Sequence, residues 1–181
     1  ATGDINGDRI PDLLINSRGE GQLIILLGYG NGSFRRLPAI KTGKVPLAII
    51  PADFNGDNKL DVAVTLTFDK MEIFLGSGDG TFSKGETYLT GSRSFSGVSG
   101  DFNRDGNIDI ALATSSSASS AIRLYIGKGN GTFNKPRSIA KGLVPLVLVK
   151  KDMNNNGLQD LIFSSGQGDN MYMLLSKGDG T

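Results

Sequence analysis

The nine-residue stretch Asp53-Phe54-Asn55-Gly56-Asp57-Asn58-Lys59-Leu60-Asp61 decides the fold of this 181-residue chain, because the chain contains four versions of it. The other three occupy residues 4–12, 101–109 and 152–160. Copies at a near-constant spacing mean that the chain is built from repeated structural units. We call these stretches acidic loops 1 to 4, in chain order, and number the positions in each loop from one to nine.

A Gly-rich motif repeats in phase with the acidic loops. Three complete copies occupy residues 28–34, 76–82 and 127–133, and Gly178–Thr181 is part of a fourth copy. Short aliphatic and β-branched runs lie between the motifs and long amphipathic helical patterns are absent, which is typical of an all-β protein with many turns. In the second unit we predict strands at Pro46–Ala52, Asp61–Leu66, Met71–Gly76 and Glu86–Thr90.

Four short strands in each repeat of about 40–50 residues predict an all-β chain of β-propeller blades. We treat residues 1–181 as one propeller region of about four four-stranded antiparallel blades, with units at 1–45 (partial), 46–93, 94–144 and 145–181 (partial). Propellers carry about 4–8 blades. We therefore expect a larger propeller, for example one of seven blades, with a closed four-bladed ring as the alternative. The continuously apolar runs at 47–50 and 146–149 predict first strands buried on both faces.

The acidic loops follow the pattern D-x-N-x-D-x-x-x-D, which places oxygen ligands at positions one, three, five and nine. Position seven can add a backbone carbonyl, and Ca²⁺ prefers six to eight oxygens, whereas Mg²⁺ prefers to keep its waters. Gly stands at position four in loops 1 and 2 and at position six in loops 3 and 4, where it can serve a sharp turn. The candidate ligands are Asp4, Asn6, Asp8, Ile10 and Asp12; Asp53, Asn55, Asp57, Lys59 and Asp61; Asp101, Asn103, Asp105, Asn107 and Asp109; and Asp152, Asn154, Asn156, Leu158 and Asp160.

Two other interpretations of the acidic loops make different demands on the sequence. Asx-rich turns without a metal would use the same residues. An EF-hand or dockerin loop would need flanking helices and a ligand at position twelve. That position instead holds Ile15, Val64, Leu112 and Phe163. We interpret the apolar residues at position two (Ile5, Phe54, Phe102, Met153) as core anchors, and Phe34, Phe82 and Phe133 of the Gly-rich motifs as packing residues.

Composition narrows the classes of function. The chain has 19 basic and 18 acidic residues, a balance that argues against a nucleic-acid or membrane-surface module. It contains no Cys, which excludes disulfides and thiolate metal sites, and no His, which removes the commonest general base. No apolar run approaches the roughly 18 residues that span a bilayer, so we expect no membrane insertion by this segment.

With both motifs in view, the chain resembles FG-GAP repeats, also called VCBS-type repeats, over its whole length. In integrin α-subunits such repeats build a seven-bladed propeller in which each D-x-[DN]-x-D loop holds a structural Ca²⁺. The resemblance implies Ca²⁺ as the metal, up to one per repeat and four in this chain, and an extracellular or cell-surface location. Loop 4 departs from the pattern, with Asn156 where Asp is expected, which implies weaker binding there.

We predict a calcium-stabilised extracellular module for adhesion or recognition of a protein or glycan ligand. The acidic loops and the Gly-rich turns share one end of each blade, and the loops of the other end vary between units, as ligand loops on a fixed scaffold do. Basic residues at the variable end could bind a carboxylate-bearing partner or form a solvated rim. These residues are Lys41, Lys44, Arg93 and Lys141. The loops of the variable end are Ser17–Gly21, Thr67–Lys70, Ser115–Ala121, Ser165–Asp169, Lys41–Lys44, Thr90–Arg93 and Ala140–Gly142.

The alternatives are the propeller of a secreted polysaccharide-active enzyme, such as a lyase, and a structural spacer in a surface assembly. A lyase needs a positioned base and a charge-stabilising group. Without His, the candidate bases are Lys, Arg, Tyr and the carboxylates outside the acidic loops, which are Glu20, Asp69, Glu72, Glu86 and Asp169. These residues form no recognisable catalytic pattern, so we predict that the chain is not an enzyme.

Overall fold

The computed structural model describes residues 1–116 and 120–180, and every regular element in that part of the chain is a β-strand. The strands are β1 (Thr2–Gly3), β2 (Asp12–Ser17), β3 (Gln22–Gly28), β4 (Phe34–Arg36), β5 (Ile40–Lys41), β6 (Pro46–Ala52), β7 (Asp61–Leu66), β8 (Lys70–Gly76), β9 (Phe82–Leu89), β10 (Arg93–Gly100), β11 (Asp109–Ser115), β12 (Ala121–Tyr125), β13 (Arg137–Ile139), β14 (Pro145–Lys151), β15 (Asp160–Ser165) and β16 (Met171–Leu174).

The strands form four antiparallel sheets, which we call blades 1 to 4. Blade 1 contains β1 to β5, blade 2 contains β6 to β9, blade 3 contains β10 to β13 and blade 4 contains β14 to β16. Within each blade the strands pair in sequence order, as a meander, except that β5 pairs with β3. The acidic loop always joins the first strand to the second. The all-β prediction of repeated antiparallel sheets is confirmed. Blade 3 begins at Arg93, one residue ahead of the predicted unit 94–144.

Three of the four strands predicted in the second unit lie where the sequence places them, and the fourth does not. β6 and β7 match the predicted bounds, and β8 begins one residue early, at Lys70. β9 runs over Phe82–Leu89, so the predicted strand Glu86–Thr90 is wrong at its start. Phe82 packs against the core between blades 1 and 2, but Ser83 and Lys84 are exposed because β9 is the outer edge strand. No apolar alternation marks this half of the strand.

Proline interrupts the fourth strand of two blades. In blade 1 both β4 and β5 pair with β3, and the gap between them contains Pro38. In blade 3 an isolated bridge joins Gly127 to Phe133, and the strand resumes at β13 after Pro136. Proline has no N–H to give to the ladder and is tolerated at an edge. The edge position of the fourth strand therefore accepts these breaks.

The hydrophobic core consists of three clusters, each lying between two consecutive blades. They join Ile25 of blade 1 to Val64 of blade 2, Ile73 of blade 2 to Leu112 of blade 3, and Leu124 of blade 3 to Phe163 of blade 4. Each blade therefore buries apolar side chains on the face toward its neighbour. Cohesion of the chain is carried by contacts from blade to blade.

The first strands are more exposed than their apolar runs predict. In β14 only Leu148 is buried among residues 146–149, and in β6 residues 47–49 are half-buried. The pairing register shifts between Pro145 and Leu148, and likewise between Pro46 and Ile49. These bulges take residues 146–147 and 47–48 out of the paired ladder. Val149 is paired with Ile162 and is exposed because no part of the described chain covers that face. The prediction of strands buried on both faces is therefore wrong.

Candidate metal centre

In every acidic loop the carboxylate at position one accepts hydrogen bonds from backbone N–H groups further along the loop. Asp4 Oδ1 accepts from Gly7 at 2.8 Å and from Asp8 at 3.2 Å, while its Oδ2 accepts from Arg9 at 2.8 Å. The bond from position six to the second oxygen recurs at Asp53, Asp101 and Asp152, at 2.8 to 3.0 Å. The loop is therefore coiled tightly around its first residue.

This coil needs left-handed backbone at two positions, four and six. In loop 1 these are Gly7 (φ 78°) and Arg9 (φ 68°), and in loop 3 they are Arg104 (φ 61°) and Gly106 (φ 83°). Loop 2 has its Gly and its larger left-handed residue in the same order as loop 1, and loop 4 has them in the same order as loop 3. Glycine adopts such angles without steric cost, whereas other residues do so at some cost. Each loop thus places Gly at one left-handed position and a larger residue at the other, which explains why the Gly changes place along the sequence.

The side-chain oxygens at positions three and five also accept hydrogen bonds from backbone N–H groups of the loop. Asn6 Oδ1 accepts from the Asp8 N–H at 3.1 Å, and Asp8 Oδ1 accepts from the Ile10 N–H at 2.8 Å. In loop 4 Asn156 Oδ1 accepts from the Leu158 N–H at 2.8 Å, so Asn at position five preserves this bond. Positions one, three and five are therefore held by one local network in all four loops.

The carboxylate at position nine is buried, and it accepts hydrogen bonds from other backbone N–H groups than those bonded by positions one, three and five. Asp61 has no exposed surface, and its Oδ2 accepts from the Phe54 N–H while its Oδ1 accepts from the Gly76 N–H, both at 2.8 Å. Gly76 ends β8, so the carboxylate joins the start of the loop, the start of β7 and the end of β8. The equivalent pairs of bonds occur at Asp12, Asp109 and Asp160.

Burial changes the acidity of two position-nine residues. It raises the pKa of Asp109 to about 6, against the opposing effect of the N–H donors of Gly127 and Phe102. The negative charges of Asp105 and Asp101 raise it further. The pKa of Asp61 is raised for the same reasons. Loops 2 and 3 therefore concentrate negative charge near a carboxylate that is poorly solvated.

The oxygen donors of a loop are of mixed type. Across residues 1–116 and 120–180, no three carboxylates lie close enough together to hold a metal ion by themselves. Each loop adds an Asn amide oxygen and a position-seven carbonyl to its carboxylates, and Ca²⁺ accepts all of these ligand types. Carboxylate oxygens have more lone pairs than the bonds described use, so the donor chemistry fits a hard cation. The twenty candidate ligands remain a prediction.

The Gly-rich turns lie beside the acidic loops at the same end of the blades. A Cβ on Gly76 would lie 2.2 Å from the Leu60 carbonyl oxygen, and one on Gly127 would lie 2.2 Å from that of Ile108. Both carbonyls belong to position eight of the acidic loop in the same blade. In blades 2 and 3 the first Gly of the motif therefore accommodates the close passage of the loop backbone. Ser176 occupies this place in blade 4.

Position two anchors each loop to the next blade where a next blade is present. Phe54 is 1% exposed and meets Phe133 edge to face, with ring centroids 5.4 Å apart. The Gly131 N–H of the following blade donates to the Phe54 carbonyl at 2.9 Å. Met153, predicted as a fourth anchor, is 48% exposed, and Phe34 is also exposed. Both predictions are wrong for these two side chains, because no blade within residues 1–116 and 120–180 covers them.

The opposite end of the blades carries the loops of variable sequence. Between blades 1 and 2 it contains a cavity of about 390 Å³ lined by Arg18, Glu20, Thr42 and Lys44, among others. Lys44 is named in the sequence analysis as a basic residue of the variable end. Arg18 is not named there, although it lies within the predicted loop Ser17–Gly21. In the predicted loop Ser115–Ala121, residues 117–119 lie outside the described residues.

Two of the carboxylates considered as catalytic bases are engaged in local bonds. Glu72 is buried, forms a salt bridge of 2.6 Å with Lys84 Nζ, and accepts from the Gly43 N–H at 2.8 Å. Glu86 accepts from the Tyr88 hydroxyl at 2.6 Å. Burial together with this bond raises the pKa of Tyr88 to about 12. Glu72 thus ties the connection between blades 1 and 2 to the middle of blade 2.

The family model of the FG-GAP-like repeat matches residues 4–64, 53–112 and 101–146. Each match begins at an acidic loop and runs through the next one or, in the third case, into the first strand of blade 4. The chain belongs to the FG-GAP-like repeat family. No curated protein matches the chain.

Solved structures share the fold. One is the crystal structure of BBS1N in complex with ARL6DN, soaked with mercury, with a TM-score of 0.65 and 14% identity over 95% of this chain and 49% of that chain. The lead-soaked crystal of the same complex gives a TM-score of 0.64 and 15% identity over 98% of this chain and 46% of that chain. The fold is therefore of the β-propeller type, and the chain spans about half the length of these relatives.

Proposed function

We propose that the chain is a calcium-stabilised propeller module of an extracellular protein, which binds a protein or glycan ligand through the loops at the end opposite the acidic loops. The observation that supports calcium is the fourfold recurrence of one bond network. Four loops that differ at most other positions keep the same acceptors at one, three, five and nine. Asx turns alone do not call for a charged residue at position five, yet three of the four loops have Asp there.

Calcium would supply positive charge to each loop. Asp4 and Asp8 both lie on the coil of loop 1, and within residues 1–116 and 120–180 no Lys or Arg forms a salt bridge with either of them. Unneutralised carboxylates in one short loop repel each other and oppose folding. A cation that binds only the folded loop stabilises the fold by mass action.

Removal of calcium should therefore lower the melting temperature by a large amount, measured by circular dichroism with and without excess chelator. Addition of Ca²⁺ should restore the original Tm, and the same concentration of Mg²⁺ should restore less of it. A melting curve unaffected by chelator would contradict the calcium proposal.

The variable end is the proposed ligand surface. The cavity lined by Arg18 and Lys44 combines two cationic side chains with Glu20 and Thr42, a set suited to a carboxylate-bearing ligand. BBS1N, which has a similar fold, is crystallised in complex with another protein, and this supports the idea that a propeller of this type can present a protein-binding surface. A rigid scaffold with variable loops is a common arrangement for recognition.

Binding can be tested on panels of acidic and neutral glycans and of extracellular proteins, in the presence of calcium. The double variant Arg18→Ala/Lys44→Ala should lose at least about tenfold in affinity for an acidic ligand, equivalent to about 1.4 kcal/mol. Lys128→Ala, an exposed cation in the Gly-rich turn of the other end, is the matched control and should bind normally. Equal losses in both variants would contradict the proposed surface, and absence of any ligand would favour a structural spacer.

A further inference from the structure

Blade 2 packs against a neighbouring blade on each side, and its exposed large apolar residues are confined to one corner. Phe68, in the turn between β7 and β8, is 65% exposed, and Leu89, which ends β9, is 72% exposed. Both lie at the variable end, because the strands of the meander alternate in direction. We call residues 67–69 and 89–91 together the corner of blade 2.

Backbone hydrogen bonds hold the corner together and connect it to blade 3. The Thr90 N–H donates to the Asp69 carbonyl at 2.8 Å, which fixes the turn beside the end of β9. The Tyr125 hydroxyl of β12 donates to the Leu89 carbonyl at 2.9 Å. The corner is therefore an ordered part of the junction between blades 2 and 3.

A guanidinium from blade 3 reaches the same corner. Arg123 lies two residues before Tyr125, so both side chains leave the same face of β12. A Cβ added at Gly91 would lie 2.5 Å from Arg123 Nη2. Gly91 is exposed and Arg123 is half-buried, so the guanidinium lies close beneath the surface of the corner.

The Arg123 guanidinium has unused hydrogen-bond donors. Its Nε is buried without a partner, and within residues 1–116 and 120–180 no carboxylate forms a salt bridge with it. Glu72 takes the equivalent place in blade 2, since it pairs with Val64 as Arg123 pairs with Leu112, and Glu72 is neutralised by Lys84. Buried donors normally have partners, so Arg123 remains available to an oxygen acceptor from outside the chain.

The charge around the corner is positive on balance. Lys70 and Arg93 are exposed on its two sides, and together with Arg123 they outnumber Asp69, the acidic residue of the turn. Complementary charge favours an acidic ligand. A guanidinium binds a carboxylate through two parallel N–H···O bonds, so the carboxylate is the group that best matches Arg123.

We propose that the corner of blade 2 binds a protein segment in which an Asp or Glu lies beside large apolar side chains. The carboxylate of the segment bonds to Arg123, and its apolar side chains cover Phe68 and Leu89. Clustered exposed apolar residues favour an apolar partner, and Arg and aromatic residues carry much of the energy of protein interfaces. A uronate glycan offers a carboxylate but has no large apolar side chain for Leu89. The inference rests on the proposed ligand-binding end and names the partner class for it.

A displayed library of random linear peptides, screened against the intact chain in calcium, supplies the probe. Enriched peptides should carry Asp or Glu next to an aromatic or aliphatic residue. Their affinity should fall by at least about tenfold in Phe68→Ser and in Arg123→Gln, as at central contacts of an interface. Arg123→Lys should recover part of the loss, because it keeps the charge without the paired donors. The variants should keep the wild-type circular dichroism spectrum, and Phe68→Ser and Arg123→Lys carry the test if Arg123→Gln does not fold.

Tyr29→Ser and Lys128→Gln are the matched controls, since they change an exposed aromatic residue and an exposed cation in the Gly-rich turns of the other end. Both should bind the peptides normally. The inference is overturned if no peptide is enriched, if enriched peptides lack acidic residues, or if Arg123→Gln binds them as the wild type does. It is also overturned if uronate oligosaccharides bind instead and lose affinity in Arg123→Gln.

The double variant Arg18→Ala/Lys44→Ala separates this inference from the proposed function. Ligand binding that is lost in the double variant and kept in Arg123→Gln would overturn the corner site and leave the proposed ligand surface standing. Absence of binding by both peptides and glycans at the variable end would overturn both. Peptide binding lost in Arg123→Gln and kept in the double variant would support the corner of blade 2.

Discussion

At the residue scale, the Asp residues at positions five and nine of an acidic loop have different structural roles. The position-nine carboxylate is buried and holds two backbone N–H groups from separate segments, as Asp61 does with Phe54 and Gly76. The position-five carboxylate lies on the exposed coil and accepts only from the loop itself, as Asp57 does from Lys59. Position nine therefore supports the fold directly, whereas the proposed calcium site predicts that position five contributes mainly when a cation is bound.

Asp61→Ala should be destabilising even in chelator. Truncation leaves two buried N–H donors without acceptors, at a cost of roughly 1–3 kcal/mol for each. Urea unfolding of the variant and the wild type in excess chelator measures this difference.

Asp57→Ala is the matched control, and in chelator it should cost less than about 1 kcal/mol, because water replaces the single exposed bond. With calcium present it should lose a clear part of the calcium-induced rise in Tm. Equal losses for Asp57→Ala and Asp61→Ala in chelator would contradict this division of roles.

At the element scale, the Gly-rich turn and the acidic loop of one blade pass so close that a methyl group cannot fit between them. Gly76→Ala would bring a Cβ to 2.2 Å from the Leu60 carbonyl oxygen. We expect a loss of roughly 1–3 kcal/mol from the forced displacement of backbone. Gly19→Ala, with no atom within 4 Å of its added Cβ, should be nearly neutral. Thermal unfolding of both variants checks the contrast, and a neutral Gly76→Ala would show that the loop can move.

Acidic loop 4 should bind calcium more weakly than the other three. Its position five is Asn156, which removes one carboxylate, and ligand charge tunes calcium affinity. In calcium titrations with site occupancies read from crystals, loop 4 should empty first, and Asn156→Asp should tighten it. Loop 4 remaining full while another loop empties would contradict the argument from charge.

A neighbouring cation should weaken calcium binding at loop 4 further. Arg104 of loop 3 donates from Nη2 to the Asn156 carbonyl at 3.3 Å, which places a guanidinium beside the proposed site. Arg104→Gln should therefore tighten calcium binding at loop 4 by removing like-charge repulsion. Arg9→Gln is the matched control, since Arg9 belongs to loop 1, far from loop 4 in the sequence of blades, and should leave loop 4 unchanged. Unchanged calcium affinity of loop 4 in Arg104→Gln would show that the charge of the guanidinium is fully screened.

At the scale of the whole molecule, contacts between blades carry the stability of the chain. Phe54→Ala removes a ring that is buried between blades 2 and 3, and such truncations cost about 3–5 kcal/mol. Met153→Ala changes the same loop position in blade 4, where the side chain is half exposed, and should cost less than about 1 kcal/mol. Denaturant unfolding measures both. Equal costs would mean that position two acts within its own loop.

The sequence by itself determined the repeat, the order of strands and the position of each acidic loop. These features depend on local chemistry: Asp and Asn accept from N–H groups within a few residues, and Gly supplies left-handed turns. The bounds of β6 and β7 follow from the same signals. The start of β9 could not be predicted, because an edge strand with solvated residues such as Ser83 and Lys84 carries no apolar alternation.

Only the tertiary structure decided which members of an equivalent set are buried. Phe54 and Met153 occupy the same place in the repeat, yet one is covered and the other is not, because burial depends on the blade alongside. The approach of Arg104 to Asn156 and of Glu72 to Gly43 likewise joins residues from different repeats. A periodic sequence specifies the unit many times over, but the contacts between units arise from their packing, which no single repeat encodes.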